Sequence, residues 1–371
     1  MGKPTHLYII GNGFDLYHGA KSSYADFRRY LLRHNVNVVK SLEFFFGPRS
    51  LRNTVERYSE FRWYTEDFKH LRIKAPETEW AHLFLWKDFE GYLSSLNREK
   101  LFDMLESYLP RTKFQERVFQ TENYQKAINK ILSQIDLCTF EMRYQFHKWI
   151  STIQFARGYK AKLLDVDKDA EFLNFNYTTF LEDVYGISPE NIKYIHGSKR
   201  DKYGSLILGH SQDYQKGLDE WIHKNKNRKR YRRNLKNQKG NYYGNYKLSY
   251  LAYFMDSSSE ANWITEERYN AVVDVKDRIE DYYQKNFKDS TSIICNNSEF
   301  FTSLRDVESV TVLGHSLGVV DHNYFKAIID ANREPQEVKW TFSWYRDEDK
   351  ERIAKLKEKF GLRNVNYIHM G

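Results

Sequence analysis

Cysteine is nearly absent: the 371 residues hold only Cys138 and Cys295, far apart and without CxxC or Cys/His spacing. This excludes a disulfide framework and a zinc ribbon, and it fits a reducing cytoplasm. Six prolines are few, which favours packed structure over an extended chain. No apolar run approaches the ~20 residues needed to span a bilayer. The apolar stretch after the N-terminus is too short for a signal core and leads into glycines, so neither secretion nor a membrane span is expected. Acids are missing between Trp221 and Met255, while 224–247, "KNKNRKRYRRNLKNQKGNYYGNYK", concentrates cations among tyrosines. Such a stretch is either a solvated basic loop, a subunit contact or a nucleic-acid surface.

Aromatic residues are abundant, at 16% of the chain with 28 Tyr and 25 Phe. Together with the length, they supply ample material for a buried core. Residues 6–10 read as a buried strand ended by glycine, and "SSYADFRRYLLRH" reads as a helix capped by Ser22 or Ser23. Apolar residues at three- and four-residue steps continue to about residue 162, which predicts a helical insertion over 26–162. Strand signals return at 171–178, 192–198, 205–211, 309–316, 338–345 and 365–370, with a basic, Tyr-rich insertion over 212–305. Strands with polar, glycine-rich carboxyl ends and helices between them predict one α/β domain over 1–371, built on a doubly wound, mostly parallel, Rossmann-like sheet. In such sheets ligands bind beyond the carboxyl ends of the strands, where the polar motifs lie.

Each motif carries two readings. Gly11-Asn12-Gly13 after strand one suits a phosphate loop or an ordinary turn; the third glycine of a dehydrogenase fingerprint is replaced by Leu16 and the distal acid is missing. Asn176 ends one strand as a ligand-holding amide or an Asx-turn cap, and His196 ends another as a proton carrier or a structural histidine. "GHSLG", Gly314–Gly318, matches a nucleophile elbow, yet only about fifty residues remain to supply an acid, Asp321 or Asp347, and His369. Twelve scattered histidines show no metal-ligand spacing, so no metal site is expected.

As a set, "LYIIGNGFDLYHGAKSSYADF", "WKDFEGYL", "NFNYTTFLE", "YIHGS" and "LGHSLGVVDHNYF" resemble the bacterial AbiH abortive-infection family over most of the chain except the basic insertion. AbiH proteins in turn resemble sirtuin-like NAD-binding domains. The resemblance implies that Gly11, Asn12 and Gly13 form the phosphate loop, with Phe14 and Asp15 beside it in the cofactor site, that Asn176 is the ribose-side asparagine and that His196 is the catalytic histidine; Asp15 or Asp321 would offset the cationic sugar. Gly314, His315 and Ser316, with Asp321 nearby, would hold the adenosine-side ribose, which makes Ser316 a ligand contact and not a nucleophile. Thr178 stands where the related pattern has aspartate, and the zinc cysteines of deacylating sirtuins are missing.

These readings predict a cytoplasmic antiphage effector that cleaves the nicotinamide–ribose bond of NAD, its substrate, with Asn176 and His196 as catalytic residues. The alternatives are a sensor that binds NAD, ADP-ribose or a nucleotide without turnover, an effector that binds or cuts nucleic acid through 224–247, and a serine hydrolase. A phage trigger or partner defence protein and a homo-oligomer are the expected associations. Gly13→Val is expected to remove ligand binding and spare the fold.

Overall fold

In the computed structural model the described residues are 5–46, 86, 88–96, 121–154, 163–213, 216, 220, 223 and 266–370. The chain divides into two compact units. One comprises 1–33, 143–211 and 288–371, the other 34–142 and 212–287. The basic 224–247 stretch lies outside the described residues.

The first unit is organised by six parallel strands in the spatial order β3-β2-β1-β4-β5-β6. They are β1 (His6–Ile10), β2 (Glu171–Asn174), β3 (Ile192–Tyr194), β4 (Ser309–Leu313), β5 (Lys339–Trp344) and β6 (Asn364–His369). Alternation across β1 sends Leu7 and Ile9 into one apolar core and Tyr8 and Ile10 into another. Both faces are therefore covered by helices and loops, which is why the strand shows no polar alternation. The order is that of a doubly wound, Rossmann-like sheet, whose direction of winding reverses between β1 and β4. Register sets the level of the strand ends: Ile10 lies opposite Asn174 and Leu313, and Asn174 opposite Tyr194. The segments starting at Gly11, Phe175, Ile195 and Gly314 therefore leave the sheet side by side.

Helix α1 (Asn12–Tyr17) follows β1 directly, and α2 (Tyr24–His34) follows a short turn. Ser23 caps α2 reciprocally with Asp26: the Asp26 N–H donates to Ser23 Oγ (3.2 Å) and the Ser23 N–H to Asp26 Oδ2 (3.1 Å). In the second unit are α3 (Val36–Phe46), α4 (Phe89–Leu93) and α5 (Thr121–Asp136), the last continuing through a π turn at Leu137–Glu141. Ile128, Ile131, Ile135 and Cys138 recur on one buried stripe of that helix. It packs against α8, introduced below. Helix α6 (Met142–Thr152) belongs with the sheet, where Phe146 and Trp149 meet Phe27 of α2. The remaining helices are α7 (Phe180–Asp183), α8 (Glu266–Lys285), α9 (Ser290–Asn296), α10 (Ser298–Ser303), α11 (His322–Ala331) and α12 (Asp347–Phe360). Among the described residues, no helix is long and apolar enough to cross a membrane.

One expected strand is not formed. Residues 205–211 run past the end of β3 without forming a strand, only His210 making an isolated bridge, and the Ile207 N–H donates to the His196 carbonyl (2.9 Å). The guanidinium of Arg143 on α6 takes the carbonyls of Leu206 (3.0 Å) and Leu208 (2.6 Å). Those acceptors would otherwise build a ladder, so the side chain replaces a neighbouring strand.

Candidate functional site

The loop after β1 and the loop after β4 interlock. Gly11 N–H donates to Leu313 O (2.9 Å), Gly13 N–H to Gly314 O (2.7 Å), and Phe14 N–H back to Gly11 O (2.9 Å). A Cβ on Gly11 would lie 2.5 Å from His315 Cα, and one on Gly13 2.7 Å from Gly314 O. The glycines are thus required for backbone-to-backbone packing between β1 and β4. This corrects the expectation for Gly13→Val, because a side chain there strikes main chain before it could meet any ligand. Asn12 braces the same loop: its Nδ2 donates to Ser22 O (3.0 Å) and its Oδ1 accepts from Ser22 Oγ (2.6 Å). Phe14 is buried in the second core, against His18, Phe180 and Tyr185.

Asp15 projects from the first turn of α1 into a buried network. Its Oδ1 accepts from Asn176 Nδ2 (2.8 Å) and its Oδ2 from Thr178 Oγ1 (2.5 Å), while Asn176 Nδ2 also reaches Gly11 O (3.1 Å). Burial raises the Asp15 carboxyl to about 7; hydrogen bonds from Thr178 and Asn176 oppose that rise. The structure therefore brings Asp15, Asn176 and Thr178 together, and it engages the Asn176 amide in fixing Asp15. The threonine that departs from the related pattern is one of the two donors holding that carboxylate.

A second cluster forms where β3, β4 and α11 begin or end. Lys288 Nζ lies 2.7 Å from Asp321 Oδ1, and His315 Nε2 lies 3.6 Å from Asp321 Oδ2, with all three side chains nearly inaccessible. Burial, the largest single effect, pushes Asp321 up, but the Lys288 ammonium, its hydrogen bond and smaller contributions from His315 and His196 together hold the carboxyl below the usual range. His315 is lowered to about 4, first by burial, with the Asp321 charge opposing and the Lys288 charge adding. Its Nδ1 accepts from the Leu317 N–H (3.0 Å), so the ring is neutral with Nε2–H towards Asp321.

His196 is 3% exposed and packed by Phe175, Tyr177 and Tyr324, its ring 5.2 Å from Phe175 and 5.7 Å from Tyr324. Burial, then the Lys288 charge, lowers it well below the usual histidine value; Asp321 and a hydrogen bond to the Phe175 backbone oppose this. A backbone bond that favours the charged ring is donation to a carbonyl, which uses one ring N–H. The other nitrogen, Nε2, is buried and has no hydrogen-bond partner among the described residues. A neutral imidazole lone pair is left at the strand edge, an acceptor for an O–H or a base.

Ser316 is exposed on the loop after β4, and the positive φ of this turn falls on Leu317 (54°) and Gly314 (63°). The neighbouring histidines are engaged elsewhere. His315 Nδ1 takes Leu317 N–H, while His322 contacts Leu317 O (3.2 Å) and Lys359 Nζ (2.7 Å). Among the described residues no histidine is hydrogen-bonded to the Ser316 hydroxyl, so the geometry supplies no base to a serine nucleophile. Nor do three His, Cys, Asp or Glu side chains converge there as a metal ion requires.

Residues 7–344 match the model of the family described as bacteriophage abortive infection AbiH. The chain belongs to the AbiH family. Membership gives it an antiphage, abortive-infection role and a phage-related context. No curated protein and no solved structure matches.

In this AbiH chain the family match spans every strand-end residue described above, from the loop at Gly11 to Asp321. Sequence reasoning missed Lys288. It stands among 58 Lys and Arg residues in no motif, and only the approach of α9 to α11 reveals it as the counterion of Asp321. Phe175 and Tyr324, which wall His196, were equally hidden, because an aromatic residue after a strand and one on the buried face of a helix read as ordinary core.

Proposed function

We propose that this AbiH protein is an antiphage effector that hydrolyses the nicotinamide–ribose bond of NAD at the carboxyl edge of the sheet. The observation that carries the reading is the neutral, unpartnered Nε2 of His196 at the strand ends of a Rossmann-ordered sheet. Ligands of such sheets lie beyond those ends. Breaking a glycosidic C–N bond passes through a cationic sugar, which needs a nearby anion and a placed water. Nicotinamide leaves as a neutral molecule, so no general acid is required. His196 Nε2 would accept a proton from the water or a sugar hydroxyl. Asp15 is the anion available on the β1–β2 side, and Asn176 and Thr178 act by holding it. Gly314, His315 and Ser316 would border the ligand on the β4 side.

Release of nicotinamide from NAD by the purified protein, alone and with extract of infected cells as a source of trigger, tests the reading. The wild type is expected to release it, and His196→Ala to lose at least 100-fold in rate, as for removal of a general base (roughly 10²–10⁴-fold). No release under either condition would sink the proposal.

A second reading is favoured by the internal engagement of the Gly11, Gly13 and Phe14 N–H groups and by the burial of both Asp15 and His196. The same edge would then hold NAD, ADP-ribose or a related nucleotide as a sensor. Calorimetric binding without product separates the two.

A further inference from the structure

The last strand, β6, forms the outer edge of the sheet, paired only with β5 among the described residues. Its sequence, Asn364-Val365-Asn366-Tyr367-Ile368-His369, contains no Lys, Asp, Glu or Pro. Exposed edges are normally protected by charge, proline, a bulge or a cover, because their free N–H and C=O groups template pairing with another strand. Here six residues run in unbroken register with β5, and Tyr367 (48%) and Ile368 (39%) are exposed.

We infer that β6 is a homodimer interface, where two copies of the chain pair their edges antiparallel and join two six-stranded sheets into one. The choice of a second copy rests on charge and symmetry. A two-fold axis perpendicular to the sheet reverses strand and helix direction together and keeps each face on its own side. Helix α12, the connection from β5 to β6, carries Asp347, Glu348 and Asp349 in its first turn and Lys357 and Lys359 in its last. The two α12 helices then run antiparallel beside the seam, the acidic end of each towards the basic end of the other. Preservation of faces also restricts register, because residues directly opposite must point to the same side. Val365, Tyr367 and His369 share the face of Trp340, Phe342 and Trp344, and Asn364, Asn366 and Ile368 share the other. The seam is therefore centred on Asn366 or on Tyr367, which sets Tyr367 beside Val365 or beside its own copy. Either centre buries an aromatic ring that the monomer leaves half in water.

Sedimentation of the full chain, with light scattering, tests this. The wild type is expected at twice the 44.7 kDa chain mass. Tyr367→Lys with Ile368→Lys should bring it to the monomer mass while circular dichroism stays unchanged and melting remains cooperative, since both side chains are exposed in the single chain. Should that variant misfold, cysteine at the seam still decides. In a Cys295→Ser background, Asn366→Cys or Tyr367→Cys should form an intermolecular disulfide, because facing Cα atoms about 4.5–5.5 Å apart suit the bond. A monomeric wild type, a dimer that survives the folded double-lysine variant, or no cross-link at either position would overturn the inference.

Discussion

Gly314→Ala is expected to yield no stably folded protein, while the matched change Gly361→Ala yields a folded one with a slightly lower melting temperature. The two glycines share φ = 63°, so each pays the same left-handed backbone penalty of about 1–2 kcal/mol for acquiring a side chain. They differ only in surroundings. A Cβ on Gly361 at the end of α12 meets nothing within 4 Å, whereas one on Gly314 lies 2.0 Å from Phe14 N and 2.4 Å from Gly13 C. Main chain at that distance cannot rotate away as a side chain can. The β4 loop would have to separate from the β1 loop, breaking Gly13 N–H to Gly314 O and Gly11 N–H to Leu313 O. We expect about 5 kcal/mol or more, comparable to the whole stability of many domains. Gly13→Val should behave likewise, its Cβ being 2.7 Å from Gly314 O. Thermal melts of the three variants check this; equal effects at Gly314 and Gly361 would show that the loops can part freely.

Stability should also decline as pH rises from about 4 to about 7, and Asp15→Asn should remove that component. The Asp15 carboxyl is raised to about 7 in the folded protein, chiefly by burial, against about 4 in the unfolded chain. The folded state therefore binds this proton more tightly, so the contribution is fully present below pH 4 and lost as pH passes through 7. Three pH units correspond to about 4 kcal/mol for one group. An asparagine at position 15 can accept from Asn176 and donate to Thr178 once that hydroxyl turns, so both hydrogen bonds survive. Denaturant unfolding of wild type and variant from pH 4 to 8 tests this. The variant should gain on the wild type with rising pH, and parallel curves would refute the buried proton. If Asp15 serves the cationic sugar, NAD hydrolysis should rise with pH over the same window as the carboxylate forms.

Much of the sheet was legible because parallel strands covered on both faces leave unbroken apolar runs. "LYII" is such a run, "VTVL" is interrupted only by Thr311, and each is followed by a glycine that marks the start of a loop. The candidate site was legible only as a set of strand-end residues. Asn176 and Asp15 are 161 positions apart, and no local pattern shows that the amide of one holds the carboxylate of the other. The strand expected at 205–211 failed for the same kind of reason: "SLILGHS" has strand composition, but Arg143, more than sixty positions earlier, captures its carbonyls.

The chain's own residues determined its class: alternating apolar runs and helical stripes can be buried together only as layers of helices on a sheet, and the five motifs already carry the AbiH resemblance. What the glycines are for was decided by tertiary structure alone, since only the parallel pairing of β1 with β4 brings Gly13 against Gly314. Tertiary structure likewise decided the chemistry of Asp15, His196 and Asp321. Charge and proton affinity depend on burial and on partners such as Thr178 and Lys288, and those neighbours are set by packing across the whole chain, not by adjacency along it.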